Sequence, residues 1–192
     1  MIKEQVKPAI LIFLVLTVIT GIIYPFFVTG ISKALFPKEV GGSLIYRDGK
    51  AIGSSLIGQP FDDPKYLWGR ISATSLAQYN ASSSSGSNIG PSNPTLVDEV
   101  KGRIKALQTA DPGNKAPIPV DLVTSSGSGL DPHISLAAAY YQIHRIAKQR
   151  GISENIVKDI IDKNRTMRLF GLLGEPVVNV LKVNLDLASY KK

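Results

Sequence analysis

The longest uninterrupted apolar run of the chain lies near its N-terminus. Residues 8–32 contain no Asp, Glu, Lys or Arg, and the run from Ala9 to Ile19 is almost wholly apolar. A helix of 25 residues rises roughly 37 Å, against a bilayer hydrocarbon core of about 30 Å. A cleaved signal peptide is disfavoured because its apolar region normally spans about 7–15 residues. The pattern predicts one membrane anchor that is ended or kinked at Pro25 and leaves the bilayer between Gly30 and Leu35.

Two short strands and a long loop are predicted next. Asp48-Gly49 lies between two runs of strand-forming residues, so it predicts a two-residue turn and a β-hairpin that runs to about Ile57. From Gly58 to Pro94 the chain shows no periodicity. Its large aromatic residues are Phe61, Tyr66, Trp68 and Tyr79. Because disordered linkers are poor in such residues, we expect an ordered, packed loop.

Three helices and a strand are predicted after this loop. Asn93-Pro94 is a start signal for the first helix, and Asp131-Pro132 repeats that signal before a second helix that stops at Gly151. Ser153 begins the third helix. The alternation from Leu181 to Leu187 predicts a half-buried C-terminal strand. The expected fold is one anchor helix followed by a single soluble α+β domain.

Composition excludes several kinds of site. The net charge is +7, but basic and acidic residues are interspersed without a block of like charges, so a nucleic-acid partner is not expected. The chain has no cysteine, which excludes thiol chemistry and disulfides. Its two histidines, His133 and His144, would stand about 16 Å apart on the predicted second helix, too far apart to share a metal ion.

Few residues form a recognisable reaction centre. Gln142 and Arg145 are three positions apart on the predicted second helix and would project together, most simply as part of a solvated polar face. Arg70, close to Trp68, is either a stacked cation that orders the loop or a ligand contact. Ser128 and His133 could form the pair of an anchored hydrolase, but no third, orienting group has a suitable spacing.

Four segments carry a resemblance to a known family. They are residues 58–74, with Tyr66-Leu67-Trp68-Gly69-Arg70; residues 85–94; residues 119–135, with Asp131-Pro132-His133; and residues 173–181, with Leu173-Gly174-Glu175-Pro176. Together they resemble the C subunits of Kdp-type potassium-transporting ATPases, and the resemblance covers essentially the whole chain. One departure is Ser84-Ser85-Gly86, where that family usually has a Ser-Gly-Gly run.

The resemblance implies a subunit without catalysis of its own. The chain lacks the Asp-Lys-Thr-Gly-Thr phosphorylation motif and a selectivity-filter repeat, so the expected partners are a P-type ATP-hydrolysing subunit and a channel-like potassium-binding subunit, with a small single-pass subunit also possible. C subunits of this family are described as catalytic chaperones that raise the ATP affinity of the P-type subunit. We therefore expect no cofactor of its own, with ATP shared with that subunit. A glutamine is proposed there to contact nucleotide, and Gln142, with Arg145, is the candidate here.

The resemblance also implies an arrangement in the cell (inner) membrane. Residues 1–35 would form a cytoplasmic N-terminus and a single-pass anchor, and residues 36–192 would lie on the outer, periplasmic face. Because ATP is cytoplasmic, we favour an indirect effect in which the loop of residues 58–94 docks on the channel-like subunit. The candidate partner contacts are Trp68, Arg70, Asn88 and Asn93. The alternatives are an outer-face regulator of potassium access to the channel-like subunit and a direct nucleotide-binding subunit.

Overall fold

The computed structural model describes residues 2–190. Met1, in the predicted region of residues 1–35, and Lys191 and Lys192, in the predicted region of residues 36–192, lie outside the described residues. Contacts divide the chain into two compact units, Met1–Ala51 and Ile52–Lys192. The first unit contains the apolar N-terminal helix. The second contains most of the α+β part of the chain.

The N-terminal helix has the length and composition of a membrane span. It comprises α1 (Ile2–Val18), a π-helical turn (Ile19–Ile23) and α2 (Tyr24–Leu35). The stretch Glu4–Leu35 is apolar enough and long enough to cross a membrane. The predicted interruption at Pro25 takes the form of this π turn, in which the Tyr24 N–H donates to the Ile19 carbonyl. Proline has no N–H to donate and its ring crowds the preceding turn, so a wider turn lets the helix continue to Leu35.

A short helix and a hairpin follow the span. The helix is α3 (Pro37–Val40), and the hairpin strands are β1 (Leu44–Arg47) and β2 (Lys50–Ser54). Asp48 and Gly49 have φ values of 51° and 75°, as the predicted two-residue turn requires. The hairpin is therefore confirmed, although β2 ends at Ser54 rather than at Ile57.

Residues 55–93, all of which the structure describes, form no helix or strand beyond a single bridge from Ile71 to Ser125. The segment is nevertheless packed, because Leu67 and Trp68 are buried in the hydrophobic core. The prediction of an ordered loop is confirmed.

Four helices come next after the loop and precede strand β4, and the first begins as predicted. They are α4 (Pro94–Ala110), α5 (Leu136–Tyr141), α6 (Ile143–Arg150) and α7 (Glu154–Lys163), with a 3₁₀ turn at Val120–Leu122. The Asn93 side chain accepts the Thr95 N–H at the start of α4, and the Ser153 side chain accepts the Ile156 N–H at the start of α7. Gly151 ends α6 in the left-handed conformation.

The start predicted at Asp131-Pro132 is wrong. Residues 133–135 form strand β3 (His133–Ser135), and Ser135 caps α5. The Asp131 carboxylate accepts the His133 N–H in a local turn instead of capping a helix. His133 therefore lies in a strand, not on the helix that carries His144.

The predicted C-terminal strand is also misplaced. Strand β5 is Val177–Asn179, and the residues from Val180 onward form helix α8 (Val180–Ser189). The Asn179 side chain accepts the Lys182 N–H and begins this helix. The buried positions of α8 are Val180, Leu181, Val183, Asn184 and Leu187, which fit one helical face.

A small antiparallel sheet supports the helices. Its order is β3-β5-β4, where β4 is Arg165–Thr166, and His133 pairs with Asn179 while Arg165 pairs with Val178. The largest fully buried apolar side chains are Leu67, Leu107, Leu122, Ile134, Ile146, Ile161 and Leu187. They come from the loop, the helices and the sheet, so the loop is an integral part of the core.

Candidate functional site

Two side-chain amides hold the loop of residues 58–94 in the core. The Leu67 N–H donates to Asn184 Oδ1 at 2.8 Å, and Asn184 Nδ2 donates to the Leu67 carbonyl at 2.9 Å. The Trp68 N–H donates to Gln142 Oε1 at 2.9 Å, and Gln142 Nε2 donates to the Trp68 carbonyl at 3.1 Å. The backbone polar groups of two consecutive buried residues are thus satisfied without a neighbouring strand.

Two arginines contact the indole of Trp68. The guanidinium carbons of Arg145 and Arg103 lie 4.4 Å and 5.0 Å from the ring centroid. Arg145 also donates to the carbonyls of Pro64 and Tyr66 and to Gln142 Oε1. We call Trp68, Asn184, Gln142, Arg103 and Arg145 the polar core cluster.

Burial affects both guanidinium groups of this cluster. It lowers the pKa of Arg145 to about 10, while Asp111 acts in the opposite direction. Burial likewise lowers the pKa of Arg103, whose charge is satisfied by the Leu122 and Gly69 carbonyls. At neutral pH both groups stay charged, and each charge is compensated by fixed carbonyl dipoles.

Gln142 and Arg145 lie together as their spacing predicts, but not on a solvated face. Their exposed fractions are 1% and 3%, so that interpretation is wrong. They are buried because the loop brings Trp68, which is 74 positions from Gln142, into contact with both side chains. A nucleotide contact by Gln142 would require its bonds to the Trp68 backbone to open, and its predicted role as a nucleotide ligand stays a prediction.

Arg70 is part-exposed and joins the loop to the segment before β3. Its Nη1 lies 3.4 Å from Asp131 Oδ2, and its Nη2 donates to the Ser125 carbonyl at 3.0 Å. Tyr79 Oη donates to the Arg70 carbonyl at 2.6 Å, and burial raises the pKa of Tyr79 to about 12. Arg70 therefore orders the loop through an ion pair, while Trp68 is contacted by other arginines.

The serine-rich part of the loop covers the turn of residues 125–129. Ser72 Oγ donates to the Gly129 carbonyl at 2.7 Å, and Ser84 Oγ donates to the Ser128 carbonyl at 2.9 Å. A Cβ on Gly86 would lie 2.8 Å from the Gly127 carbonyl oxygen. The turn is thus closed by hydroxyl groups that donate to its carbonyls.

The two predicted asparagine contacts lie apart from the polar core cluster. Asn88 is exposed and has a positive φ of 51°, and Asn93 is exposed where it caps α4. Together with Arg70 they lie at the surface of the loop, whereas Trp68 is only 5% exposed. Any part that Trp68 plays in partner binding therefore acts through the shape of the loop.

The two residues of the possible hydrolase pair each contact other groups. Ser128 Oγ accepts the Leu130 N–H, and the His133 ring lies beside Asp131 and Asn179. Within residues 2–190, no group of three or more His, Asp or Glu side chains is placed to hold a metal ion.

Three residues of the site carry no role in the sequence-based prediction: Asn184, Arg103 and Tyr79. Asn184 lies four positions from Val180 and three from Leu187, which is a helical spacing. The same segment also alternates from Leu181 to Leu187, and that alternation led to the prediction of a strand. The start signal at Asn179, directly after a proline-containing segment, could have identified α8 and with it the inward-facing amide.

Comparisons with known proteins agree over almost the full length. The family described as "K+-transporting ATPase, c chain" matches residues 6–189. The chain is 59% identical over 185 residues to a "Potassium-transporting ATPase KdpC subunit" of Methylococcus capsulatus, covering 96% of this chain and 97% of that one. It is 57% identical over 190 residues to the protein of the same name from Dechloromonas aromatica, covering 99% and 100%.

Proposed function

The chain belongs to the KdpC family, the c chains of K+-transporting ATPases, and from this premise we propose that it is a non-catalytic accessory subunit. In this role it assembles and stabilises the potassium uptake complex. It also raises the ATP affinity of the P-type ATP-hydrolysing subunit.

One observation supports this role most directly: the polar and aromatic side chains that could bind a ligand are buried and hold the domain together. Gln142, Arg145 and Trp68 are all at most 5% exposed and bind one another. Catalytic and ligand-binding groups normally line a concave, accessible site. Here the same residue types fix the path of a long loop, as expected for a platform that presents a surface to other subunits.

The effect on ATP is proposed to be indirect. If the α+β part lies on the outer face, about 30 Å of hydrocarbon separates it from cytoplasmic ATP. The anchor Glu4–Leu35 offers an apolar surface for helices of the partner subunits. The anchor would then act through these helices: by binding more tightly to the state of the complex that has the higher affinity for ATP, it would favour that state.

The surface of the loop is the proposed contact with the channel-like subunit. Asn88 and Asn93 are exposed there, and Arg70, in the same loop, is part-exposed. Trp68 and its two arginines fix the path of the same loop inside the domain. Such contacts would also place the domain where it could affect potassium access.

Steady-state ATPase assays of the complex test this proposal. We expect a lower KM for ATP when the chain is present than when it is omitted, and photolabelling with an azido-ATP should mark the P-type subunit but not this chain. Specific labelling of this chain that excess ATP abolishes would instead make it a direct nucleotide-binding subunit. An unchanged KM would reject the proposed effect on ATP affinity.

A further inference from the structure

The hairpin between β4 and β5 ends in a group of exposed apolar side chains. The exposed fractions are 55% for Met167, 60% for Leu169, 85% for Phe170, 81% for Leu172 and 62% for Leu173. We call residues 167–173 the apolar tip. Five large exposed apolar side chains within seven residues are an unusual local concentration, whereas single exposed apolar residues are ordinary.

The apolar tip is held in one conformation by its own backbone. The Leu169 N–H donates to the Leu173 carbonyl at 2.8 Å, and the Leu173 N–H donates back to Leu169 at 3.0 Å. The Gly171 and Leu172 N–H groups donate to the carbonyls of Arg168 and Leu169. With these polar groups satisfied inside the turn, the tip can be covered by an apolar partner at little cost in desolvation.

Phe170 stands at the end of this turn in an unfavourable backbone conformation. Its φ is 53°, in the left-handed region, followed by Gly171 at 73°. For a residue with a bulky side chain this conformation costs roughly 1–2 kcal/mol. A strained residue that points an exposed ring outward is typical of a site whose conformation is used for binding.

The charges around the tip favour a protein over a lipid surface. Arg168 Nη2 contacts both carboxylate oxygens of Glu175 at 2.8 Å, and Arg165 lies 3.5 Å from Asp162. Segments that bind membranes carry unpaired Lys or Arg that attract anionic lipids, and their apolar face is rich in Trp, Phe and Leu. Phe and Leu therefore suit both kinds of surface, but the one cation of residues 167–173, Arg168, is paired with Glu175 and offers no free charge to lipid headgroups.

We propose that the apolar tip is a docking element that inserts Phe170 and Leu172 into an apolar recess on another subunit of the same complex. The inference rests on the proposed function, because it requires a complex with other subunits. A tip of this size buries far less than the roughly 800 Å² per partner of a stable interface. It can bind only because the anchor keeps it at a high effective concentration near its recess.

Photocrosslinking in the assembled complex tests this docking element. Benzoylphenylalanine replaces Phe170 in the full chain, the complex is illuminated in native membranes, and the products are separated by mass. We expect an adduct between this chain and another subunit. Benzoylphenylalanine at Val120, which is 71% exposed and lies outside both the loop of residues 58–94 and the apolar tip, is the control and should give no such adduct. Adducts with lipid alone, or none, at position 170 would overturn the inference.

The double variant Phe170→Ser, Leu172→Ser gives an independent measurement. Because both side chains are exposed, we expect unchanged fluorescence of the buried Trp68 but at least tenfold lower recovery with the other subunits after detergent extraction. Val120→Ser, at an exposed position outside the loop of residues 58–94 and the apolar tip, is the matched control and should keep full recovery. Recovery of the double variant equal to that of the wild type would overturn the inference. If the wild-type chain itself is not recovered with other subunits, it is the proposed function that fails.

Discussion

The side-chain amide of Gln142 forms with Trp68 both hydrogen bonds that a neighbouring β-strand would form. The Trp68 N–H donates to Oε1 at 2.9 Å, and Nε2 donates to the Trp68 carbonyl at 3.1 Å. The two residues are 74 positions apart, so this contact closes a long stretch of chain onto the break between α5 and α6. The loop is therefore ordered by buried side chains rather than by a sheet.

Replacing Gln142 with leucine should destabilise the domain strongly. Gln142→Leu leaves the Trp68 N–H and carbonyl unpaired in the core, and at about 1–3 kcal/mol for each of these two groups we expect a loss of about 2–6 kcal/mol in the free energy of unfolding. Denaturation of the full chain in detergent, followed by the fluorescence of its one tryptophan, measures the loss.

The matched control is Gln149→Leu, an exposed glutamine on α6, which should change the same free energy by less than about 0.5 kcal/mol. Equal effects of the two substitutions would mean that the bonds to Trp68 contribute nothing.

A methyl group at Gly129 should disrupt the turn covered by the serine-rich part of the loop. Gly129 has a φ of 68°, and a Cβ there would lie 2.5 Å from Thr74 Cγ2 and 2.6 Å from the Ser85 carbonyl oxygen. We expect Gly129→Ala to cost about 2–4 kcal/mol in the free energy of unfolding, measured in the same way.

Gly90→Ala is the comparison for this variant, because a Cβ at Gly90 meets nothing within 4 Å. It should be neutral or slightly stabilising. If both variants unfold at the same denaturant concentration, the close approach at Gly129 does not exist in the protein.

Because of Tyr79, the free energy of unfolding should fall at alkaline pH. Burial raises its pKa to about 12, so the folded domain keeps the phenol proton at pH values where the unfolded chain, near pKa 10, has lost it. Its contribution is fully present below about pH 10 and declines as the pH rises toward 12.

Comparison with Tyr79→Phe isolates this contribution. The unfolding free energy of the wild type relative to the variant should fall by about 2 kcal/mol between about pH 9 and pH 11.5, so the sign of the difference should reverse and the wild type should become the less stable protein. At neutral pH the variant should cost about 1 kcal/mol for the lost bond to the Arg70 carbonyl. A difference that does not change with pH would show that the Tyr79 hydroxyl is not buried.

Elements with local signals were predictable from the sequence. The hairpin at Asp48-Gly49, the start of α4 at Asn93 and the end of α6 at Gly151 each depend on residues within one turn. The anchor was predictable because a charge-free apolar run of this length matches the thickness of a bilayer.

Two features were not predicted, the first because an alternating pattern competes with a local start signal and the second because it depends on a distant contact. The residues from Leu181 to Leu187 alternate as a strand does, yet Val180, Asn184 and Leu187 also share a helical face, and the start signal at Asn179 decides for the helix. The burial of Gln142 and Arg145 depends on Trp68, which the chain brings in from far along its length. No local pattern can show that a polar pair will face the core.

Cysteine labelling of intact cells tests the central claim most directly, because a domain on the outer face cannot touch cytoplasmic ATP. The chain contains no cysteine, so Leu76→Cys, at a position that is 99% exposed, introduces a single thiol into the domain, and Gln5→Cys marks the other end of the anchor. A membrane-impermeant maleimide should label position 76 in intact cells and position 5 only after lysis. Labelling of position 5 in intact cells, with position 76 protected until lysis, would contradict the account and place the domain beside the nucleotide.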